Sequence, residues 1–179
     1  MDNLKELSLI INKRRNRVLD RQGWFSLITR IAFLALIGFV LFTQVFLINQ
    51  ISGNGMYPAI KDGDLVFSFR IGKDFIKNDC VVYTVNGKDY IGRVVAKEFD
   101  IVILDESGTL LVNGTAQSGE IMYPTYPKDG VTYPYEVPKG HVFILGDYRT
   151  KTEDSRDFGS IPVKDVKSKI FTILRRRGL

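Results

Sequence analysis

The sequence predicts a mainly β protein: an N-terminal single transmembrane α-helix followed by an antiparallel β domain. Two observations carry this reading. Residues 31–59 contain no charge, and within them Ile31–Ile48 (IAFLALIGFVLFTQVFLI) is apolar apart from Gly38, Thr43 and Gln44. Beyond Lys61 the apolar residues fall into short β-rich runs broken by turn residues. A length of 179 residues, 45% hydrophobic and 25% charged, suits one domain with an appendage.

Taken in order, residues 1–30 form a basic cytoplasmic segment with seven Lys/Arg against three acids. Leu4, Leu7, Ile10 and Ile11 recur at helical spacing ahead of Lys13-Arg14-Arg15. That pattern fits an amphipathic helix on anionic headgroups, and equally a solvated basic tail. The remaining chain is nearly balanced, with 18 basic and 17 acidic residues, so no basic face for nucleic acid is expected. Residues 31–48 form the anchor. Eighteen residues rise about 27 Å as a helix, close to the hydrocarbon thickness. No polar face recurs, against a buried core helix, and no small-x-small site follows in Asn49–Gly53, against a cleaved leader. The positive-inside rule places the N-terminus in the cytoplasm, so a single-pass cell-membrane protein with residues 49–179 extracytoplasmic is expected.

In that domain Leu65–Ile71, Cys80–Val85, Tyr90–Val95, Ile101–Leu104 and His141–Leu145 read as strands. Asn86-Gly87 and Asn113-Gly114 suit the positive φ angles of tight hairpins. Asn113-Gly114-Thr115 also fits a glycosylation acceptor, the hairpin being the preferred reading. Residues 116–140 hold four of the six prolines and four tyrosines, as an extended loop or edge would. The single Cys80 excludes a disulfide framework and reads as a small core residue. With one histidine, His-cluster metal sites are excluded and a Ser-His-Asp triad would hang on His141. No metal and no cofactor is expected.

Three segments carry a resemblance. The first is Ile51-Ser52-Gly53-Asn54-Gly55-Met56-Tyr57-Pro58 with Asp62-Gly63-Asp64. The second is Asp79-Cys80-Val81-Val82-Tyr83 with Tyr90-Ile91-Gly92-Arg93-Val94-Val95. The third is Gly146-Asp147-Tyr148-Arg149 with Asp154-Ser155-Arg156-Asp157-Phe158-Gly159. Their order, directly after an anchor, resembles the bacterial type I signal peptidases over Ile31 to the C-terminus. In that family the first segment ends in Ser-Met-x-Pro, whose Ser is the nucleophile, and the second holds Lys-Arg-Val, whose Lys is the general base. A hydroxyl needs a base to take its proton, and a lysine serves only when desolvation lowers its pKa.

Here the Ser position is Gly55 and the Lys position is Gly92. Neither has a side chain, so the dyad is absent while Met56, Pro58, Tyr90, Ile91 and Arg93 around it are kept. The resemblance implies substrate contacts at Ile51, Met56, Ile60, Tyr90 and Ile91, with Gly53 on the oxyanion side; for Ile60 a core position is favoured. It implies that Thr152 stands where a Ser supports the Lys, and that Asp154 and Arg156 form a supporting salt bridge. Tyr148 replaces an Asn, and Ala96-Lys97-Glu98-Phe99-Asp100 stands in place of Gly-x-Pro-Gly-Asp. The two glycines are expected to widen the cleft, and restoring Gly55→Ser with Gly92→Lys to return weak peptidase activity.

The reading is a catalytically inactive, membrane-anchored binder of exported polypeptides. It resembles the degenerate branch found with Gram-positive pilus gene clusters, which implies a pilin subunit or a sortase as partner and a chaperone-like part in pilus assembly. Two alternatives stay open. One is an active signal peptidase with a non-standard nucleophile (Ser52 or Cys80) and a base among Lys73, Lys88, Lys97 and His141. The other is a regulator of an active paralogue. Arg175-Arg176-Arg177 suit headgroup contact or a solvated terminus equally.

Overall fold

The computed structural model describes the backbone of residues 2–117 and 123–175, and the side chains of these except 2–13 and 15–19. Residues up to Gln44 form one compact unit and Val45 onward a second. The first is a single helix, α1 (Asp2–Val45). Its segment Asp20–Val45, 26 residues, is long and apolar enough to cross a membrane, rising about 39 Å.

Helix and apolar run end at different places. Residues 31–45 are helical, whereas Phe46, Leu47 and Ile48 open β1 (Phe46–Gln50) with no intervening loop. These three pair antiparallel with Phe69, Ser68 and Phe67 of β2 (Leu65–Phe69), so long-range strand pairing divides a run that reads as one helix.

The second unit is antiparallel throughout its pairings. The other strands are β3 (Cys80–Val85), β4 (Lys88–Lys97), β5 (Ile101–Leu104), β6 (Leu110–Val112), β7 (Thr115–Ala116), β8 (Tyr135–Glu136), β9 (His141–Leu145), β10 (Ile161–Pro162) and β11 (Val166–Leu174). One short helix, α2 (Ser155–Phe158), precedes β10. A seven-stranded sheet has the order β1-β2-β11-β3-β4-β9-β10, and a four-stranded sheet the order β7-β6-β5-β8. Asn86 (φ 51°) and Gly87 (φ 78°) turn β3 into β4 in the two-residue form that matches strand twist. Asn113 (φ 53°) and Gly114 (φ 77°) do the same between β6 and β7. The Asn113 amide is already engaged, its oxygen accepting from Ile101 N–H and its nitrogen donating to Asp100. The proline-rich stretch 116–140 supplies edge strand β8, in keeping with missing donors at Pro134 and Pro138.

Three apolar clusters form the core. Val95, Ala96, Phe143 and Leu145 meet Val102, Leu110, Val112 and Val137 of the second sheet's side. Val81, Tyr83, Val94, Val142 and Ile144 pack with Phe75, Ile161 and Val166. Ile51, Met56, Ile60, Val66, Val82 and Ile170 form the third, with half-buried Cys80 and Ile91 against it. Cys80 is thus a flank of the core and not a member of it.

Candidate functional site

Residues 51–64 form a loop tied to itself. Ile51 N–H donates to the Asp64 carbonyl (2.8 Å) and Gly63 N–H to the Ile51 carbonyl (2.9 Å). Gly53, at φ 95°, donates its N–H to Asp62 Oδ1 (2.7 Å), a conformation that favours glycine. The loop forms one wall of a cleft of about 720 Å³. The opposite wall is Lys88–Ile91 of β4 with Val82 beneath, and Asn49 and Gln50 of β1 with Lys151, Thr152 and Glu153 complete the lining.

Of the residues singled out by sequence, Ile51, Gly53, Gly55, Met56, Tyr90, Ile91 and Thr152 all line this cleft. Ile51 and Met56 are also core, only 7% and 3% exposed, so they present a floor and not projecting pockets. Ile60 is fully buried in that cluster and lies outside the lining. Glu153 and Lys151 escaped the sequence reading; their adjacency to Thr152 was the available signal. Tyr90 donates its hydroxyl to Glu153 Oε2 (3.0 Å), and Lys88 lies 3.5 Å from the same oxygen and 4.8 Å from the Tyr90 ring centre.

Gly55 and Gly92 sit in unlike surroundings. Gly55 is half-buried and its carbonyl accepts from Tyr148 N–H (3.0 Å). A Cβ there would stand 3.0 Å from Thr152 Cγ2, a tight but yielding contact. Thr152 itself rests directly on Gly146, where a Cβ would fall 2.4 Å from Thr152 Cγ2. Gly92 is buried and does not line the cleft. Its Cβ would meet Ile144 Cγ2 at 2.4 Å, the Leu145 carbonyl oxygen at 3.1 Å and the Tyr83 ring at 3.3 Å. The expected widening by two glycines is therefore corrected: at Gly92 the core has closed over the position. The expectation that Gly92→Lys restores a base meets the same packing, because already the first carbon of the lysine stem would collide with Ile144 Cγ2.

Other bases and nucleophiles fare no better. Lys88 is raised from its ordinary value by the Tyr90 hydroxyl and Glu153, the reverse of what a general base needs. Lys73 bonds the Val166 carbonyl and Lys97 pairs with Asp74 (3.4 Å), neither lining the cleft. Burial pushes the Cys80 thiol up, which lowers its thiolate fraction. His141 opens β9 with Nδ1 2.9 Å from the Lys139 carbonyl. Ser52 lines the cleft with its side chain exposed.

Beneath the cleft, Arg156 grips Asp154 through Nε (2.9 Å) and Nη2 (2.8 Å), both residues essentially without solvent contact. Asp154 also caps α2, accepting from Arg156 N–H, and its Oδ2 lies 3.1 Å from the Thr152 hydroxyl. Arg149, equally buried, spends its donors on Gly146, Thr125 and Gln117, and burial pulls its pKa down to about 10. Among the described residues no group of three or more His, Cys, Asp or Glu is placed to hold a metal ion. Arg176 and Arg177 lie outside the described residues.

At Ala96–Asp100, Phe99 adopts φ 67° with its N–H donating to the Val137 carbonyl (2.8 Å). A left-handed conformation natural to glycine is here carried by a bulky residue.

The family described as "Signal peptidase, peptidase S26" matches residues 24–174. Signal peptidase I of Bacillus caldolyticus is 27% identical over 176 residues, covering 89% of this chain and 92% of that protein. Signal peptidase IB of Staphylococcus aureus is 32% identical over 140 residues, 67% and 73% respectively. The probable thylakoidal processing peptidase 2 of Arabidopsis thaliana is 33% identical over 131 residues, 66% of this chain, which spans only 35% of that longer protein. A crystal structure of a signal peptidase I from Enterococcus faecalis V583 matches with TM-score 0.47 and 22% identity, over 55% of this chain and 97% of that one. By the extent of the family match, the chain belongs to the signal peptidase family, peptidase S26.

Proposed function

We propose that this member of the family binds extended polypeptide without cleaving it. The single observation that carries the reading is the closure of Gly92: Ile144, Tyr83 and the Leu145 carbonyl fill the space a lysine base would need. Gly55 offers no nucleophile, and Lys88 and the Cys80 thiol are tuned away from catalysis.

Binding needs none of these groups. β9 pairs with β4 only from Arg93 to Lys97, while β3 pairs with β4 along Lys88–Arg93. Residues 88–92 therefore have β3 on one side and no strand partner on the other among the described residues. An unpaired strand segment beside an apolar floor of Ile51, Met56, Val82 and Ile91 suits β-strand addition by a guest chain. The guest is an exported polypeptide, and the resemblance to the pilus-associated branch points to a pilin subunit or its sortase.

The test combines two measurements. A photoreactive residue at Ile91 in the intact membrane protein should capture an exported polypeptide, and a pilin-deleted strain should lose the adduct. Purified full-length protein in detergent should leave a secretory precursor intact. Cleavage that disappears on Ser52→Ala would overturn the proposal in favour of a working peptidase.

A further inference from the structure

Three tyrosines far apart in sequence meet just outside the cleft lining. Tyr57 follows Met56 in the loop 51–64, Tyr148 follows β9, and Tyr123 precedes β8. The Tyr148 ring stacks on Tyr123 with centres 4.4 Å apart and lies 6.2 Å from the Tyr57 ring. All three residues are half-buried, and none belongs to the three apolar clusters of the core.

Buried groups that do not line the cleft hold these rings in place. Arg149, next to Tyr148 and 2% exposed, donates to the hydroxyl of Thr125, which lies two residues after Tyr123 and is 1% exposed. Arg156 Nη1 donates to the Tyr126 carbonyl (3.1 Å). Tyr148 N–H donates to the Gly55 carbonyl, so the cluster is fastened to the cleft loop as well. Aromatic rings set in position before a ligand arrives lose little freedom when it binds.

Two lysines flank the rings. Lys61 Nζ lies 5.7 Å from the centre of the Tyr57 ring, and Lys151 Nζ lies 5.3 Å from that of Tyr148. Both residues are exposed, and neither has an ion-pair partner among the described residues. The acidic residues nearest in sequence are engaged elsewhere. Asp62 accepts from Gly53 N–H and Asp64 from the Lys61 backbone N–H. Asp147 takes two hydrogen bonds from Arg93, Glu153 is held by Tyr90 and Lys88, and Asp154 by Arg156. Lys151 also lines the cleft, so cleft and cluster share an edge.

We propose that Tyr57, Tyr123 and Tyr148, with Lys61 and Lys151, form a docking platform for an acidic, aromatic-bearing segment of the polypeptide in the cleft. The inference rests on the reading that the cleft binds polypeptide, and it names the chemistry of the guest. Ring faces and edges take a flat side chain, and two unpaired ammonium groups favour carboxylates over a neutral or basic segment. A guest leaving the cleft past Gly55 meets Tyr148 at once, because the two are hydrogen-bonded.

Full-length protein in detergent micelles is titrated with two fluorescein-labelled peptides. Both carry an extended Val-Ser-Val-Ser-Val segment; one continues into Glu-Phe-Glu-Glu and the other into Gln-Phe-Gln-Gln, and each is also made in reverse order. In the better order the acidic peptide should bind roughly three- to tenfold tighter at low salt, an advantage lost at about 0.5 M salt. Lys61→Gln with Lys151→Gln should abolish the preference and leave the affinity of the Gln peptide unchanged, whereas Tyr148→Ala should weaken both peptides. The lysines are exposed, so their pair keeps the test readable if Tyr148→Ala folds poorly. Photocrosslinking from Ile91 reports occupancy of the cleft separately. Equal affinities with Ile91 labelled by both peptides would overturn the platform and leave cleft binding standing. A preference that survives the double lysine change overturns it too, and failure of both peptides to bind overturns the cleft reading together with the platform.

Discussion

The closure over Gly92 is open to a direct energetic test. Ordinary carbon–carbon contacts lie near 3.5–4.0 Å, and a Cβ at Gly92 would approach Ile144 Cγ2 to 2.4 Å. Ile144 is β-branched and fully buried, so its χ1 is stiff and its neighbours leave it little room to retreat, and the Leu145 carbonyl at 3.1 Å is backbone. Gly92→Ala should therefore cost about 1–3 kcal/mol by overpacking, partly offset by about 0.5–1 kcal/mol from a stiffer unfolded chain. Ile144→Ala alone should cost about 2–5 kcal/mol by leaving a cavity. Made together, the new methyl occupies part of that cavity, and the pair should cost at least about 1 kcal/mol less than the separate changes summed. Pulse proteolysis of full-length protein across a urea series in micelles measures all four corners of the cycle. Additivity within about 0.5 kcal/mol would show that Gly92 has room for a side chain, and the argument against a base at that position would fail.

Two further outcomes follow from individual residues. Phe99 holds a left-handed φ at a cost of about 1–2 kcal/mol while its ring is largely exposed, so Phe99→Gly should raise the urea midpoint by about 0.5–1 kcal/mol in stability; an unchanged or lowered midpoint would mean the ring contributes packing that its exposure hides. Burial, then the charge of Asp154, pushes the Tyr83 phenol above its ordinary value of 10.0, and the hydroxyl has no hydrogen-bond partner among the described residues. The unfolded chain then releases this proton first, so stability present below pH 10 is lost as pH rises past it. Tyr83→Phe should move that alkaline limb upward in a pH titration of unfolding and leave neutral stability equal or higher, with a remnant limb from Tyr133, which burial raises in the same way. A limb that does not move would place Tyr83 in contact with water.

Much of the fold is legible residue by residue, for reasons that also explain the gaps. β3, β5 and β9 lie where runs of Val, Ile and Phe end at turn residues, and Asn86-Gly87 adopts the positive φ angles its chemistry favours. β11 passes unnoticed because Lys167 and Lys169 interrupt it, although Val166, Ser168 and Ile170 between them are buried. β1 is hidden for the opposite reason: a strand apolar on both faces has no period to separate it from the helix before it. At the site, sequence exposes two missing side chains. It cannot say what stands in their place, because Ile144 reaches Gly92 from β9 across a non-local pairing. The same holds for Glu153, whose contact with Tyr90 spans 63 positions along the chain.

The five residues of β1 also set a working radius. Asn49, the first residue of the cleft lining, follows Val45 by four positions, and a fully extended chain covers about 14 Å over that interval. If the helix crosses a bilayer and the cleft holds polypeptide as proposed, a leash so short would favour segments still threading out of that bilayer or tethered beside it.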